Sequence, residues 1–171
     1  QRVQFTPDPM PGDLTGTNIF DPETRNFTFI NGPIFHEIIL ADEINRAPPK
    51  VQSALLEAMA EHQVTVGGVT RRLPDLFVVL ATQNPLEQSG TYPLPEAQLD
   101  RFLLHVVLDS PNPEAELQIL QQDRKRHFGA DNPTLEYAIT TETVLAARRE
   151  VAEIQVEDSL DRYMVELGTP T

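Results

Sequence analysis

Cysteine is absent from the 171 residues, and so is tryptophan. Without thiols there are no disulfides, no thiolate zinc sites and no cysteine nucleophiles, and a reduced, intracellular setting is the easiest fit. Cations are scarce as well: 13 Lys and Arg stand against 26 Asp and Glu, a formal net charge of −13. A nucleic-acid groove needs clustered cations to displace counterions from phosphate, so direct binding to DNA or RNA is disfavoured. No apolar run approaches the roughly 18 residues of a membrane-spanning helix, and Gln1 to Met10 lack the basic-then-apolar order of a secretory signal. A soluble, cytoplasmic protein without membrane insertion is expected. His36, His62, His105 and His127 show no metal-binding spacing. A Gly-x-Ser-x-Gly elbow is missing, which leaves a serine hydrolase unsupported. Also missing is Gly-x-x-x-x-Gly-Lys-Ser/Thr, the loop that cradles nucleotide phosphates.

What the chain has in plenty is proline, 15 residues, above the usual share of about 5%. The length suits one domain, or one core with a small appendage. Arg2 to Phe5 read as a strand, and the prolines between Thr6 and Gly12 exclude helix or central strand. Ile19-Phe20 and Phe27 to Ile30 flank a polar loop, a hairpin pattern. Ile38 to Ala41 form an unbroken apolar run, as in a parallel strand covered on both faces, and end in Asp42-Glu43. From Pro48-Pro49, Val51, Ala54, Leu55, Ala58, Met59 and His62 recur at helical spacing. Alternation around Gly67-Gly68 predicts a second hairpin. Leu76 to Ala81 repeat the buried-strand pattern and close in Thr82-Gln83-Asn84-Pro85. A short helix from Pro95 through Leu99 and Arg101 and a strand over Leu104 to Leu108 complete this part. Helices alone follow, starting at Asn112-Pro113, at Thr140 or Thr141, and near Glu157, with Gly168 as a stop. The expected organisation is an α/β core over residues 1–110 and a helical part over 111–171.

Ligands of open α/β sheets sit outside the carboxyl ends of the strands, where loops and helix starts converge. Two such ends carry polar clusters. Neighbouring strand residues point to opposite faces, so Asp42 and Glu43 are expected to do different jobs. One carboxylate suits a hard cation such as Mg²⁺, and the other can deprotonate a water that attacks phosphorus. The plainer alternative makes Asp42 a cap and Glu43 a solvated acid. Asn84 is an amide able to bind a γ-phosphate or the attacking water, or a turn former ahead of Pro85. Arg101, in Leu99-Asp100-Arg101-Phe102, can offer its planar fork to a phosphate of another subunit or pair with Asp100. An acid/base pair acting on sugars is remote, since the two carboxylates should diverge.

In combination these segments are more specific. Arg2-Val3-Gln4-Phe5-Thr6-Pro7-Asp8, Leu14-Thr15-Gly16, Gly32-Pro33-Ile34-Phe35, the run from Leu40-Ala41-Asp42-Glu43 to Lys50, Leu80-Ala81-Thr82-Gln83-Asn84-Pro85 and the run from Tyr92 to Phe102 resemble the MoxR family of AAA+ ATPases. The resemblance covers about residues 1–120, and the tail is similar to the start of the family's helical lid.

The resemblance implies a partial AAA+ P-loop NTPase core followed by part of an α-helical lid, in an ATP-driven, Mg²⁺-dependent ring, usually a hexamer. Asp42 and Glu43 match the Walker B acids, Asp42 on the Mg²⁺ side and Glu43 polarising the lytic water. Asn84 matches the sensor-1 amide, and Arg101 the arginine finger that completes a neighbour's site. The Gly67-Gly68 hairpin is matched to one inserted in a core helix of the family. Clients are implied to be proteins that such chaperones remodel or activate, with companions bearing von Willebrand factor A domains. The family's Walker A loop precedes the strand at Val3 to Phe5, so the match implies the middle of a longer protein, inactive as an ATPase when isolated. A different class of function, a non-catalytic assembly or interaction module derived from such an ATPase, stands as the alternative.

Overall fold

The computed structural model describes residues 1–85, 89–127 and 138–168. The chain divides into two compact units, Gln1–Leu108 and Asp109–Thr171. The first is built on a parallel sheet of three strands, β1 (Arg2–Gln4), β4 (Ile38–Asp42) and β7 (Val78–Ala81), in the order β1-β4-β7. Parallel neighbours need long crossovers. Between β1 and β4 run α1 (Pro11–Thr15), the hairpin of β2 (Gly16–Asp21) and β3 (Asn26–Asn31), and a 3-10 turn, Pro33–Phe35. Between β4 and β7 run a 3-10 turn at Ile44–Arg46, α2 (Pro49–Glu61) and the hairpin of β5 (Gln63–Val66) and β6 (Val69–Arg72). The short α3 (Glu96–Leu99) follows β7.

The core lies on one side of the sheet. Val51, Leu55 and Ala58 on the apolar face of α2 meet Ala41 of β4, with Phe5, Leu14, Ile34, Ile44 and Val64 filling the space between. The two hairpins touch each other, the Arg71 guanidinium lying 3.7 Å over the Phe29 ring. Gly67 and Gly68, at φ 60° and 77°, supply the two positive angles that a tight hairpin turn needs.

Four expectations change. The prolines before Gly12 do not exclude helix, because α1 begins on Pro11, a first-turn position where a missing N–H costs nothing. The Gly67-Gly68 hairpin interrupts no helix: α2 keeps its apolar spacing to the end and caps at His62, and β5 follows directly. Among the described residues the sheet is covered on one face only. Ile39 and Ala41 are fully buried, whereas Ile38 is 52% and Leu80 54% exposed on the other side. Crossovers of parallel strands are right-handed, so a sheet that grows in one direction, β1 to β4 to β7, carries both of its connections on the same face. Finally, Leu104 to Leu108 form no strand, and Leu103 beside them is 95% exposed. An apolar run becomes a strand only with a ladder partner, and no strand among the described residues is paired to the outer edge of β7.

The described residues of the second unit form three helices, α4 (Pro113–His127), α5 (Thr141–Ala152) and α6 (Asp158–Gly168). Asn112 Oδ1 accepts from the Ala115 N–H at 2.8 Å, and Thr140 Oγ1 from the Thr143 N–H at 3.3 Å, so the starts follow from ordinary capping. Gly168 is the last helical residue of α6.

Gly32 and Gly16 close the base of the first hairpin. A Cβ on Gly32 would lie 2.2 Å from the Leu14 carbonyl oxygen and 2.4 Å from the Gly16 nitrogen, both backbone atoms that cannot swing aside. Gly32→Ala is expected to destabilise the chain by about 2 kcal/mol in urea titrations, an overpacking cost, while Gly12→Ala, with open space around it, changes the midpoint little. Equal midpoints for the two variants would refute the close approach.

Candidate functional site

The end of β4 organises the polar cluster. Beyond the apolar run the backbone leaves the strand at Glu43, which takes the left-handed conformation at φ 56° and ψ 49°. For a residue other than glycine such a conformation costs of order 1 kcal/mol, so neighbouring groups must support it. Thr82, one residue past β7, does so. Its Oγ1 accepts the Glu43 N–H at 2.9 Å, and its carbonyl accepts the Ile44 N–H at 3.0 Å. Its own N–H donates to the Ala41 carbonyl at 3.0 Å, continuing the ladder of β4 and β7.

The left-handed kink also overturns the expected divergence of the two acids. Strand alternation stops at Asp42, and both side chains reach β1. Arg2 Nη2 donates to Asp42 Oδ2 at 2.5 Å, and Gln4 Nε2 donates to Glu43 Oε2 at 3.0 Å. Arg2 and Gln4 are two apart in a strand and therefore share a side. Glu43 Oε2 also accepts from Arg46 Nη1 at 3.1 Å, while Asp42 Oδ1 accepts from the Thr82 hydroxyl. The Thr82 hydroxyl first, and the Arg2 guanidinium second, hold the Asp42 carboxyl below the usual carboxylate range. A lowered carboxyl contributes stability above its unfolded value near 4, and the contribution fades as pH falls through the lowered midpoint.

Asn84 lies beside this turn: its carbonyl accepts from Asn45 Nδ2 at 3.3 Å. Gln52 binds the turn to the rest of the unit, its Nε2 donating to the Ile44 carbonyl at 3.2 Å and the Tyr92 carbonyl at 3.0 Å. Arg101 is placed elsewhere. Its Nη1 donates to the Leu56 carbonyl at 3.4 Å, about 10 Å along α2 from the end that adjoins the acids. It lines a shallow groove with Ser53, Glu57, Glu61 and Gln98, and among the described residues it makes no ion pair, with Asp100 or any other acid. Asp42, Glu43 and the Asn84 segment are thus brought together, and Arg101 is not.

Thr82, Arg2, Gln4, Arg46 and Gln52 escaped the reading of the sequence as site residues. Strand pairing reveals the first three, because only the register sets Thr82 and β1 beside the acids. Gln52 is 2% exposed, a polar side chain within an otherwise apolar helix face, and that position was the available signal.

Among the described residues no three His, Cys, Asp or Glu side chains gather to hold a metal. A single carboxylate with hard oxygen donors fits Mg²⁺ delivered with a nucleotide, since that ion keeps waters and phosphate oxygens and needs only one or two carboxylates. It does not fit a self-contained metal cage.

A parallel sheet with an acid pair at the end of one strand and a polar strand end beside it puts a polar cluster where open α/β folds bind their ligands. The family described as "ATPase family associated with various cellular activities (AAA)" matches residues 1–104. The Bacillus subtilis protein YeaC, itself uncharacterized, is 50% identical over the whole chain, and the Mycobacterium tuberculosis protein Chaperone MoxR1 is 44% identical over 96% of it. A crystal structure of an ATPase candidate from Cytophaga hutchinsonii superimposes with a TM-score of 0.81 at 47% identity, over 97% of this chain and 49% of that one. The chain belongs to the MoxR family of AAA+ ATPases. It spans about half the length of the curated relatives it matches, 52% of YeaC and 42% of MoxR1.

Replacing Arg2 by Gln removes one of the two groups that lower Asp42. Its midpoint, followed by carboxyl NMR, is expected to rise toward the ordinary value of about 4 while staying below it, because Thr82 remains. An unmoved midpoint would show that Arg2 does not act on Asp42.

Proposed function

We propose that the whole protein is a Mg²⁺-dependent ATPase that works as an oligomeric ring and remodels or activates protein clients. The observation that carries this reading is the convergence of Asp42 and Glu43 on Thr82, next to Asn84. Asp42 would sit on the metal side, and Mg²⁺ would supply neutralisation of phosphate charge. Glu43 would accept the proton of the attacking water, with the Asn84 amide orienting that water. Gly-x-x-x-x-Gly-Lys-Ser/Thr does not occur in these 171 residues, so the phosphate cradle is assigned to residues of the whole protein outside them.

Arg101 is assigned to the site of a neighbouring subunit. Phe102 packs against the core, which anchors the segment, while the Arg101 guanidinium lies away from Asp42 and Glu43 of its own chain. A fixed guanidinium entering from a neighbour stabilises charge on the transferred phosphoryl group, worth 10³ to 10⁵ in rate in the systems where it has been removed. The ring is proposed to be a hexamer. That clients are proteins agrees with the acidic balance and with the name of the mycobacterial relative, Chaperone MoxR1. A companion with a von Willebrand factor A domain belongs to the same proposal. No helix of the described residues is long and apolar enough to cross a membrane.

In the whole protein, Glu43→Gln keeps the shape of the side chain but not its basicity. It is expected to retain ATP and lose turnover by about 100-fold or more, read by steady-state phosphate release. Unchanged turnover removes Glu43 from its role, and a ring that assembles equally well without any nucleotide turnover favours the non-catalytic assembly module instead. Arg101→Ala subunits are expected to regain activity when mixed with Glu43→Gln subunits, because each supplies what the other lacks. Failure of complementation would remove the argument for action across an interface.

A further inference from the structure

We propose that Thr82 is a positioning residue for hydrolysis, whose single hydroxyl fixes the metal-side acid and the base relative to each other. The inference rests on the reading of Asp42 and Glu43 given above and deepens it. A threonine hydroxyl has one hydrogen to donate and two lone pairs to accept. Ionised Asp42 can only accept, so the hydroxyl hydrogen goes to Asp42 Oδ1; the Glu43 N–H can only donate, so it takes a lone pair of the same oxygen. Each partner dictates the direction of its bond, and together they use the hydroxyl in both senses. Serine can reproduce this pattern. Valine, with the same shape, can reproduce neither half.

The bond to Glu43 matters because of where it falls. Glu43 occupies a left-handed backbone conformation that its side chain does not favour, and its N–H is tied to Thr82 Oγ1. Its carboxylate is held separately, by Gln4 and Arg46. Loss of the hydroxyl therefore frees the Glu43 N–H without touching the groups that hold its side chain, and at the same moment releases one oxygen of Asp42. The neighbouring bonds made by the Thr82 backbone, to Ala41 and Ile44, remain in any variant. A displacement of about 1 Å at a reacting group is enough to cost roughly 100-fold in rate.

The test compares Thr82→Val, Thr82→Ser and Glu43→Gln in the whole protein, reading ATP turnover, the KM for ATP, and hydrogen exchange at the Glu43 amide. Thr82→Val is expected to lose about 100-fold in kcat with KM changed less than about threefold, and to speed exchange at the Glu43 amide by about tenfold. Thr82→Ser should stay within about threefold of the parent in every readout, since it restores both bonds. If valine prevents folding, Thr82→Ala takes its place with the same expectations. A merely structural threonine would lower the melting temperature without separating kcat from KM, and would overturn the proposal. So would normal turnover in Thr82→Val, a Thr82→Ser as impaired as valine, or unchanged exchange at Glu43. An inactive Glu43→Gln beside a normal Thr82→Val overturns this inference alone, whereas a fully active Glu43→Gln overturns the reading beneath it.

Discussion

The pairing register of β4 with β7 is the constraint on which the polar cluster depends. Ile38 pairs with Val78 and Ala41 with Ala81, so the next step along the ladder sets Thr82 beside Asp42. A slip of one residue would bring Ala81 or Gln83 to that place and would turn every side chain of the strand to the other face. What prevents the slip is the core. Ile39 and Ala41 are fully buried on the side that α2 covers, and a one-residue shift would turn Ala41 toward water and put Leu40 in an alanine-sized space. The site is thus held in register by apolar packing two residues away from its chemistry.

Much of this was readable from residue order, because the relevant signals are local. The spacing of Val51, Leu55 and Ala58, the paired glycines at 67 and 68, and the caps at Asn112 and Thr140 each act within a turn or two of chain. Asp42 and Glu43 stood out for a similar reason, as charges that abruptly end an apolar run. Apart from Arg46, three positions from Glu43, the residues that went unnoticed make contacts over long sequence separations. Thr82 lies 40 positions from Asp42, and Arg2 lies 40 on the other side, so only the assembled sheet reveals them. Glu43 illustrates a second limit: propensity gives no reason to place glutamate in a left-handed conformation, and only the Thr82 bonds make it tenable.

The misread elements share a cause of a different kind. Apolar runs at Ile38 to Ala41 and Leu76 to Ala81 read as strands enclosed on both faces, and Leu104 to Leu108 as another strand. Hydrophobicity reports that a segment can be buried, but not what is available to bury it. In a sheet whose crossovers both lie on one side, Ile38 and Leu80 stay open, and among the described residues no strand pairs with the outer edge of β7 or with the segment after Phe102. These are the same composition and the same pattern with a different supply of neighbours.

Arg101 shows how far the geometry of one chain can carry the functional reading. Its guanidinium meets the Leu56 carbonyl, in the second half of α2, and the acids adjoin the start of that helix. A helix is a stiff spacer at 1.5 Å per residue, so the Leu56 carbonyl that holds Arg101 stays about 10 Å from the helix start beside the acids. If all four groups act on a single nucleotide, as proposed, an arginine from a second copy reaches it without giving up that bond. Stiffness that keeps Arg101 from its own acids would then make turnover depend on assembly, because no isolated subunit could complete a site by local rearrangement.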